Sequence, residues 1–325
     1  MSKLVETPQT VTKAEIIKSA ADEIGYLKTE IQRSVYMPDA DVFAMIGANL
    51  IGGHVLDETE PGQGKTTLAR AYATAVGGGK YGRVQGTSDL EPSDILGVQL
   101  YNPGKLDFDF RKGPIFKQVT IIDEINRAPE KTQSALIEPL EERQVTIGDV
   151  TYLLPKGHLV IATQNPYGEG RRSPLDTAIK DRFAVGLRTE RYTPAQKQSI
   201  RELRNQNHVP EEVIKTSRIQ EISDLARSVV FSKELFETTT ELVAAIARHG
   251  DVARRGTVLG SFRPEHVTEG IAKVFALVQM KDKANIDHVK LALAYTLPHR
   301  MKLTHEAAQD GKTTNQVVSQ VIENA

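Results

Sequence analysis

Two short segments constrain this chain more than anything else in it. Residues 61–66 read Pro-Gly-Gln-Gly-Lys-Thr, and Val119-Thr-Ile-Ile-Asp-Glu124 is an apolar run closed by two acids. In a loop of the first kind, backbone N–H groups cradle phosphates, a lysine reaches the β- and γ-oxygens, and a Ser or Thr hydroxyl ligates Mg²⁺. Gly62, Gly64, Lys65 and Thr66 fit those roles. A helix opening at Thr66 would point its positive end at the anion. The whole expected nucleotide contact is Glu60, Pro61, Gly62, Gln63, Gly64, Lys65, Thr66 and Thr67. A glycine-rich turn capping a helix can look the same, so the second segment matters. Asp123, at the end of a buried strand, can hold the metal with Thr66, and Glu124 can polarise the attacking water. A phosphate cradle followed by a metal-and-water site predicts NTP hydrolysis.

One position in the cradle departs from the pattern. Thr59 stands where the first glycine is expected. A β-branched residue fits poorly wherever φ must be positive, and forcing it there costs on the order of 1–3 kcal/mol. Asp57, Glu58 and Glu60 also place carboxylates beside a polyphosphate. Both features predict weakened nucleotide binding.

The surrounding pattern is that of a parallel sheet between helices. Ile16, Ile17, Ala20, Ile24, Leu27 and Ile31 recur at helical spacing until Met37-Pro38-Asp39 breaks them. A second helix is expected over 40–51, then a strand at His54–Leu56, a helix over 66–76 and a strand over 81–85. Residues 97–110 alternate about a Pro-Gly turn, which predicts a hairpin; a second is expected over 145–154 around Gly148-Asp149. Lys131–Glu142 reads as one helix. Val119–Ile122 and Leu159–Thr163 are continuous apolar runs, as in strands covered on both faces. Asn165, in Ala162-Thr-Gln-Asn-Pro166 after the second run, would sit beside Asp123 at the ligand-binding edge and orient the water. Past Tyr192-Thr-Pro194 strand-like runs nearly vanish and helical spacing takes over.

The expected organisation is a helical segment over 1–40, an α/β core over 41–190 and an α-helical domain over 191–325. Composition excludes several other classes. There is no cysteine, hence no disulfide and no thiolate metal site, and a net charge of −1 argues against a nucleic-acid partner. No apolar run approaches the length of a membrane span and the first ten residues lack a signal core. A cytoplasmic protein without membrane insertion is expected.

Longer strings narrow the reading. They are Leu90-Glu-Pro-Ser-Asp-Ile-Leu-Gly97, Gly113-Pro-Ile-Phe116, Asp123-Glu-Ile-Asn-Arg-Ala-Pro129, Glu141-Glu-Arg-Gln-Val-Thr-Ile147, Ala162-Thr-Gln-Asn-Pro166 and Asp181-Arg-Phe183. In this order they resemble the AAA+ ATPases, and more narrowly the MoxR family, closely over residues 45–190 and more loosely beyond. The resemblance implies a P-loop NTPase parallel-sheet core with a C-terminal α-helical lid, ATP and Mg²⁺ as ligands, and a homo-oligomeric, usually hexameric ring. It makes Glu124, Asn165, Arg182 and Arg263 catalytic. Arg182 matches the arginine that completes a neighbour's site, with Arg172 as the other candidate. Arg263, in Gly260-Ser-Phe-Arg-Pro264, takes the place of the second sensor arginine, which would touch the γ-phosphate and report hydrolysis as lid movement. The hairpins match two insertions of this clade.

Such proteins act as chaperone-like remodellers of protein clients, often with a partner carrying a von Willebrand factor A domain. Two other readings share part of the pattern. A nucleic-acid motor is opposed by the near-neutral charge, despite Arg171-Arg172. A nucleotide switch or structural ring subunit is favoured by the altered loop. It is opposed by retention of Lys65, Thr66, Asp123, Glu124, Asn165 and Arg182.

Overall fold

A reciprocal cap opens the first helix: the Glu15 N–H donates to the Thr12 hydroxyl, and the Thr12 N–H donates to the Glu15 carboxylate. Two donors that the helix itself leaves unpaired are thereby satisfied. The computed structural model describes residues 12–58, 64–77, 81–164, 175–188, 192–206 and 208–324, without the Lys65 side chain. Helix α1 (Lys13–Gln32) buries Ile17, Ala20, Ile24, Leu27 and Ile31 as their spacing predicts, while Ile16 faces solvent. Helix α2 (Asp39–Leu50) follows Pro38 and stops before Gly52, which takes a φ of +78°.

The next elements alternate strand and helix: β1 (Val55–Asp57), α3 (Lys65–Gly77), β2 (Tyr81–Gln85) and α4 (Pro92–Leu96). A hairpin of β3 (Gly97–Asn102) and β4 (Asp107–Lys112) precedes β5 (Val119–Asp123). Then come α5 (Glu130–Ser134), α6 (Ile137–Glu141), a hairpin of β6 (Gln144–Ile147) and β7 (Val150–Leu153), and β8 (Leu159–Thr163). Helix α7 (Thr177–Arg182) and β9 (Val185–Leu187) complete this part. Five strands form one parallel sheet in the order β2-β5-β8-β1-β9. Both hairpins are antiparallel, with Tyr101 opposite Phe108 and Thr146 opposite Thr151. The Phe110 and Tyr152 rings, 4.4 Å apart, join one hairpin to the other.

Alternation along the strands divides the apolar interior in two. Val55, Ile121 and Ile161 face a cluster shared with α1, α2 and α3, whereas Leu56, Ile122, Val160 and Ala162 pack with Ile115, Leu136, Leu140 and Phe183. This is what a parallel sheet covered on both faces requires.

Two expectations need correction. The helix expected over 131–142 is broken between Ser134 and Ile137. Pro139 has no N–H for the Ala135 carbonyl and its ring crowds that oxygen. The edge strand β9 was not expected, because Val-Gly-Leu is too short to show a period.

Beyond β9 the elements are helices: α8 (Pro194–Asn205), α9 (Thr216–Arg227), α10 (Lys233–Arg248), α11 (Arg263–Val278), α12 (Ile286–Thr296), α13 (His305–Gln309) and α14 (Thr314–Glu323). Secondary structure therefore changes near residue 190, but the interior continues across that point. Ile271, Val274 and Leu293 belong to the same cluster as Ile121 and Ile161. The approach is close: a Cβ on Gly186 of β9 would lie 2.6 Å from His299 Nδ1. The other nitrogen of that ring, Nε2, is 2.8 Å from the Phe183 carbonyl. Among the described residues no helix is long and apolar enough to cross a membrane.

Candidate functional site

At the carboxyl edge of the sheet, β5 delivers Asp123 opposite Gln85 of β2, and α3 begins at Lys65. The Thr66 hydroxyl is 3.5 Å from Asp123 Oδ1. The other oxygen of that carboxylate accepts from Arg83 Nε at 3.0 Å. Asp123 is buried although it ends a strand, and its carboxylate faces Thr66 and the half-exposed Arg83. Two oxygens from Thr66 and Asp123 suit a hard divalent cation, which takes its remaining ligands from phosphates and water.

Glu124 turns sharply out of the strand, with φ 52° and ψ 48°. Its N–H donates to the Thr163 hydroxyl at 3.0 Å, which ties the end of β5 to the end of β8. The side chain swings back over the edge, where Oε2 accepts from Arg127 NH1 at 2.7 Å and from Gln85 Nε2 at 3.2 Å. Gly86 makes room for this turn: a Cβ there would sit 2.1 Å from the Glu124 carbonyl oxygen. One strand further along, the Gln164 N–H donates to the Asp57 carbonyl at 2.9 Å, and the Gln164 amide donates to the Glu58 carboxylate.

Arg182 and Arg263 lie elsewhere. Arg182 closes α7 and precedes β9, and the cavity beside it is lined by Gly52 and Gly53, which precede β1. Because the strands are parallel, this is the amino edge of the sheet, opposite Thr66 and Asp123. Arg182 Nε is 2.7 Å from Glu141 Oε2, and Arg263 forms a close ion pair with the other oxygen of the same carboxylate. The Asp181 carboxylate is taken by Arg263, at 3.6 Å, and by the buried Arg300, at 3.0 Å. These groups border a cavity of about 450 Å³ between the α/β part and helices α9 and α11.

The structure thus brings together Thr66, Asp123 and Glu124 at one edge, with Gly64 and Thr67 flanking Thr66 in sequence, and Arg182 and Arg263 at the other. A simple alternative would pair Arg182 with Asp181; its carboxylate partner is instead Glu141. Arg263 stands at the amino edge, held by Asp181 and Glu141, and not beside Thr66 and Asp123 of its own chain. Glu60, Pro61, Gly62, Gln63, the Lys65 side chain and Asn165 lie outside the described residues, as do Thr59, Arg171 and Arg172. Sequence reading missed Arg83, Gln85, Arg127 and Glu141. For Arg127 and Glu141 a signal existed, since both lie inside the strings that carry the resemblance.

Comparison with known proteins gives a consistent picture. Residues 54–185 match the model of the ATPase family associated with various cellular activities (AAA), and residues 259–321 match the AAA lid domain. YeaC of Bacillus subtilis is 34% identical over 280 residues, covering 85% of this chain and 86% of that protein. The chaperone MoxR1 of Mycobacterium tuberculosis is 31% identical over 302 residues, covering 90% and 79%. A solved structure from Cytophaga hutchinsonii, a protein assigned as an ATPase, superposes with a TM-score of 0.82 at 30% identity, over 96% of each chain.

Proposed function

The chain belongs to the MoxR family of AAA+ ATPases, and on that premise we propose that it hydrolyses ATP with Mg²⁺ as a ring of its own copies, hexameric by family habit. The work of that ring is remodelling a protein client in the cytoplasm, with a von Willebrand factor A domain protein as a candidate partner. Residues 41–190 serve as the ATPase unit and 191–325 as its lid.

The observation that carries this reading is the meeting of the Thr66 hydroxyl with the Asp123 carboxylate at the start of α3. These two groups would hold Mg²⁺, which when bound neutralises charge on the β- and γ-phosphates. Among the described residues no cluster of three or more His, Asp or Glu offers a chelating site. A metal shared between few protein oxygens and a nucleotide fits that donor set. Lys65 and the glycines of its loop bind the phosphates, and the amino end of α3 favours their charge. Glu124 accepts the proton of the attacking water, from a carboxylate that Arg127 and Gln85 steady at rest. Arg182, at the far edge, acts on the nucleotide of the next subunit, where an arginine supplied in trans stabilises transition-state charge. The position of Arg263 beside it supports the same direction of action.

The test is the ATPase rate per subunit against protein concentration, with Glu124→Gln alongside. The rate per subunit should climb with concentration, and the variant should bind ATP without turning it over. A rate per subunit independent of concentration would remove the ring from the mechanism. An active Glu124→Gln would remove the assigned chemistry.

A further inference from the structure

One carboxylate, that of Glu141, is shared between two arginines that come from different parts of the chain. Its Oε2 lies 2.7 Å from Arg182 Nε, and its Oε1 pairs closely with Arg263 NH2. Arg182 sits on α7 beside the sheet, whereas Arg263 opens α11 in the helical part. The three side chains are 21%, 29% and 36% exposed for Arg182, Arg263 and Glu141, so solvent reaches the bridge. They stand at the border of the 450 Å³ cavity. Other cations lining it have acids of their own: Lys273 is paired with Glu269 at 2.7 Å and Arg227 with Asp224 at 3.0 Å.

A carboxylate and a terminal phosphate offer a guanidinium the same kind of paired oxygens, and the phosphate carries more charge. Ion pairs this exposed are weak, so a phosphate arriving at the border of the cavity can displace the carboxylate. We propose that Glu141 is a stand-in for the γ-phosphate of a neighbouring subunit's nucleotide. In the free chain it holds Arg182 and Arg263 side by side, and ring closure exchanges it for the phosphate. The inference rests on the reading of Arg182 as an arginine that acts in trans. It adds a threshold: assembly must compete with an internal anion before the arginines can work, so scattered subunits do not offer bare guanidinium groups to other anions.

The experiment is Glu141→Gln, which keeps the shape and removes the charge, read as specific ATPase rate against protein concentration. The half-maximal concentration should fall about 5-fold, with a maximal rate no lower than that of the natural chain. An unmoved half-maximal concentration overturns the proposal. So does a reduced maximal rate, which would make Glu141 a group that positions the arginines for catalysis. Glu141→Asp, too short to span both arginines, should shift the half-maximal concentration in the same direction; behaviour like the natural chain would show that bridging is irrelevant. Arg182→Ala separates the two readings. Full turnover in Arg182→Ala sinks the trans arginine itself, whereas a dead Arg182→Ala with an unmoved Glu141→Gln sinks only the stand-in.

Discussion

Arg300 holds its Nε 3.0 Å from Asp181 Oδ1 in an interior where the arginine is only 1% exposed. Burial pushes the guanidinium pKa down and the Asp181 charge pulls it back. The carbonyls of Thr296, Ala184, Asp181 and Phe183 accept from its terminal nitrogens. Removing one partner of a buried pair strands a charge, at a cost of about 3–5 kcal/mol. Asp181→Ala should therefore lower the unfolding free energy by about that amount in a urea titration. Arg300→Met, which leaves the acid its second partner, Arg263, should cost less. A loss of under about 1 kcal/mol for Asp181→Ala would mean that the guanidinium finds water instead.

Arg182→Ala should cut turnover by on the order of 10³-fold, the lower end for an arginine supplied in trans, while leaving the ATP dissociation constant within a few-fold. Mixing it with Glu124→Gln should restore activity, because some interfaces then join an intact Arg182 to an intact Glu124. Stable mixed rings that stay inactive would count against a shared site. Native mass spectrometry of the mixture establishes whether such rings have formed.

Thr59→Gly should tighten ATP binding, by about 5- to 150-fold if a strain of 1–3 kcal/mol is relieved. Calorimetric titration measures it, with Lys65→Ala as the variant that loses binding. An unchanged affinity would show that the loop reaches its phosphate-binding shape without positive φ at residue 59.

Acid should begin to destabilise the fold as pH falls below about 6.5. Burial drives His158 down to about 4 from an ordinary 6.5, with the Arg143 cation adding to the effect. Burial likewise holds His54 well below its ordinary value, helped by His158 and Arg143. Hydrogen bonding agrees: His54 Nδ1 accepts from the Val160 N–H at 3.1 Å, which leaves Nε2 to donate to the Leu140 carbonyl. Since the folded pKa lies below the unfolded one, the unfolded chain takes up protons first. Stability is complete above pH 6.5 and is lost as pH falls toward 4, by about 3 kcal/mol from His158 alone. Urea midpoints at pH 7, 5.5 and 4.5 should trace that slope, and His158→Asn should flatten it. Equal slopes in the two chains would clear His158 of the effect.

The four strands β1, β2, β5 and β8 were legible because their apolar runs or alternation are local. So was the convergence of Thr66 with Asp123, since a phosphate loop and a strand-end acid meet whenever their strands share a parallel sheet. What escaped depends on contacts distant in sequence. Nothing in Arg263 or Glu141 announces that residues 122 positions apart will form an ion pair. The left-handed turn at Glu124 is equally silent, because glutamate does not mark positive φ as glycine does. The broken helix was readable from Pro139, but the apolar spacing on either side outweighed it. The continuous interior was hidden by the change of secondary structure near residue 190.

That shared interior has a cost during synthesis. All five strands of the parallel sheet exist once Leu187 has been made, yet Ile271, Val274 and Leu293, which complete the apolar interior on one side of it, emerge only about a hundred residues later. At 5–20 residues per second, the nascent chain leaves part of that interior uncovered for about 5–20 s. A truncation at residue 190 would make that interval permanent, and the fragment would aggregate.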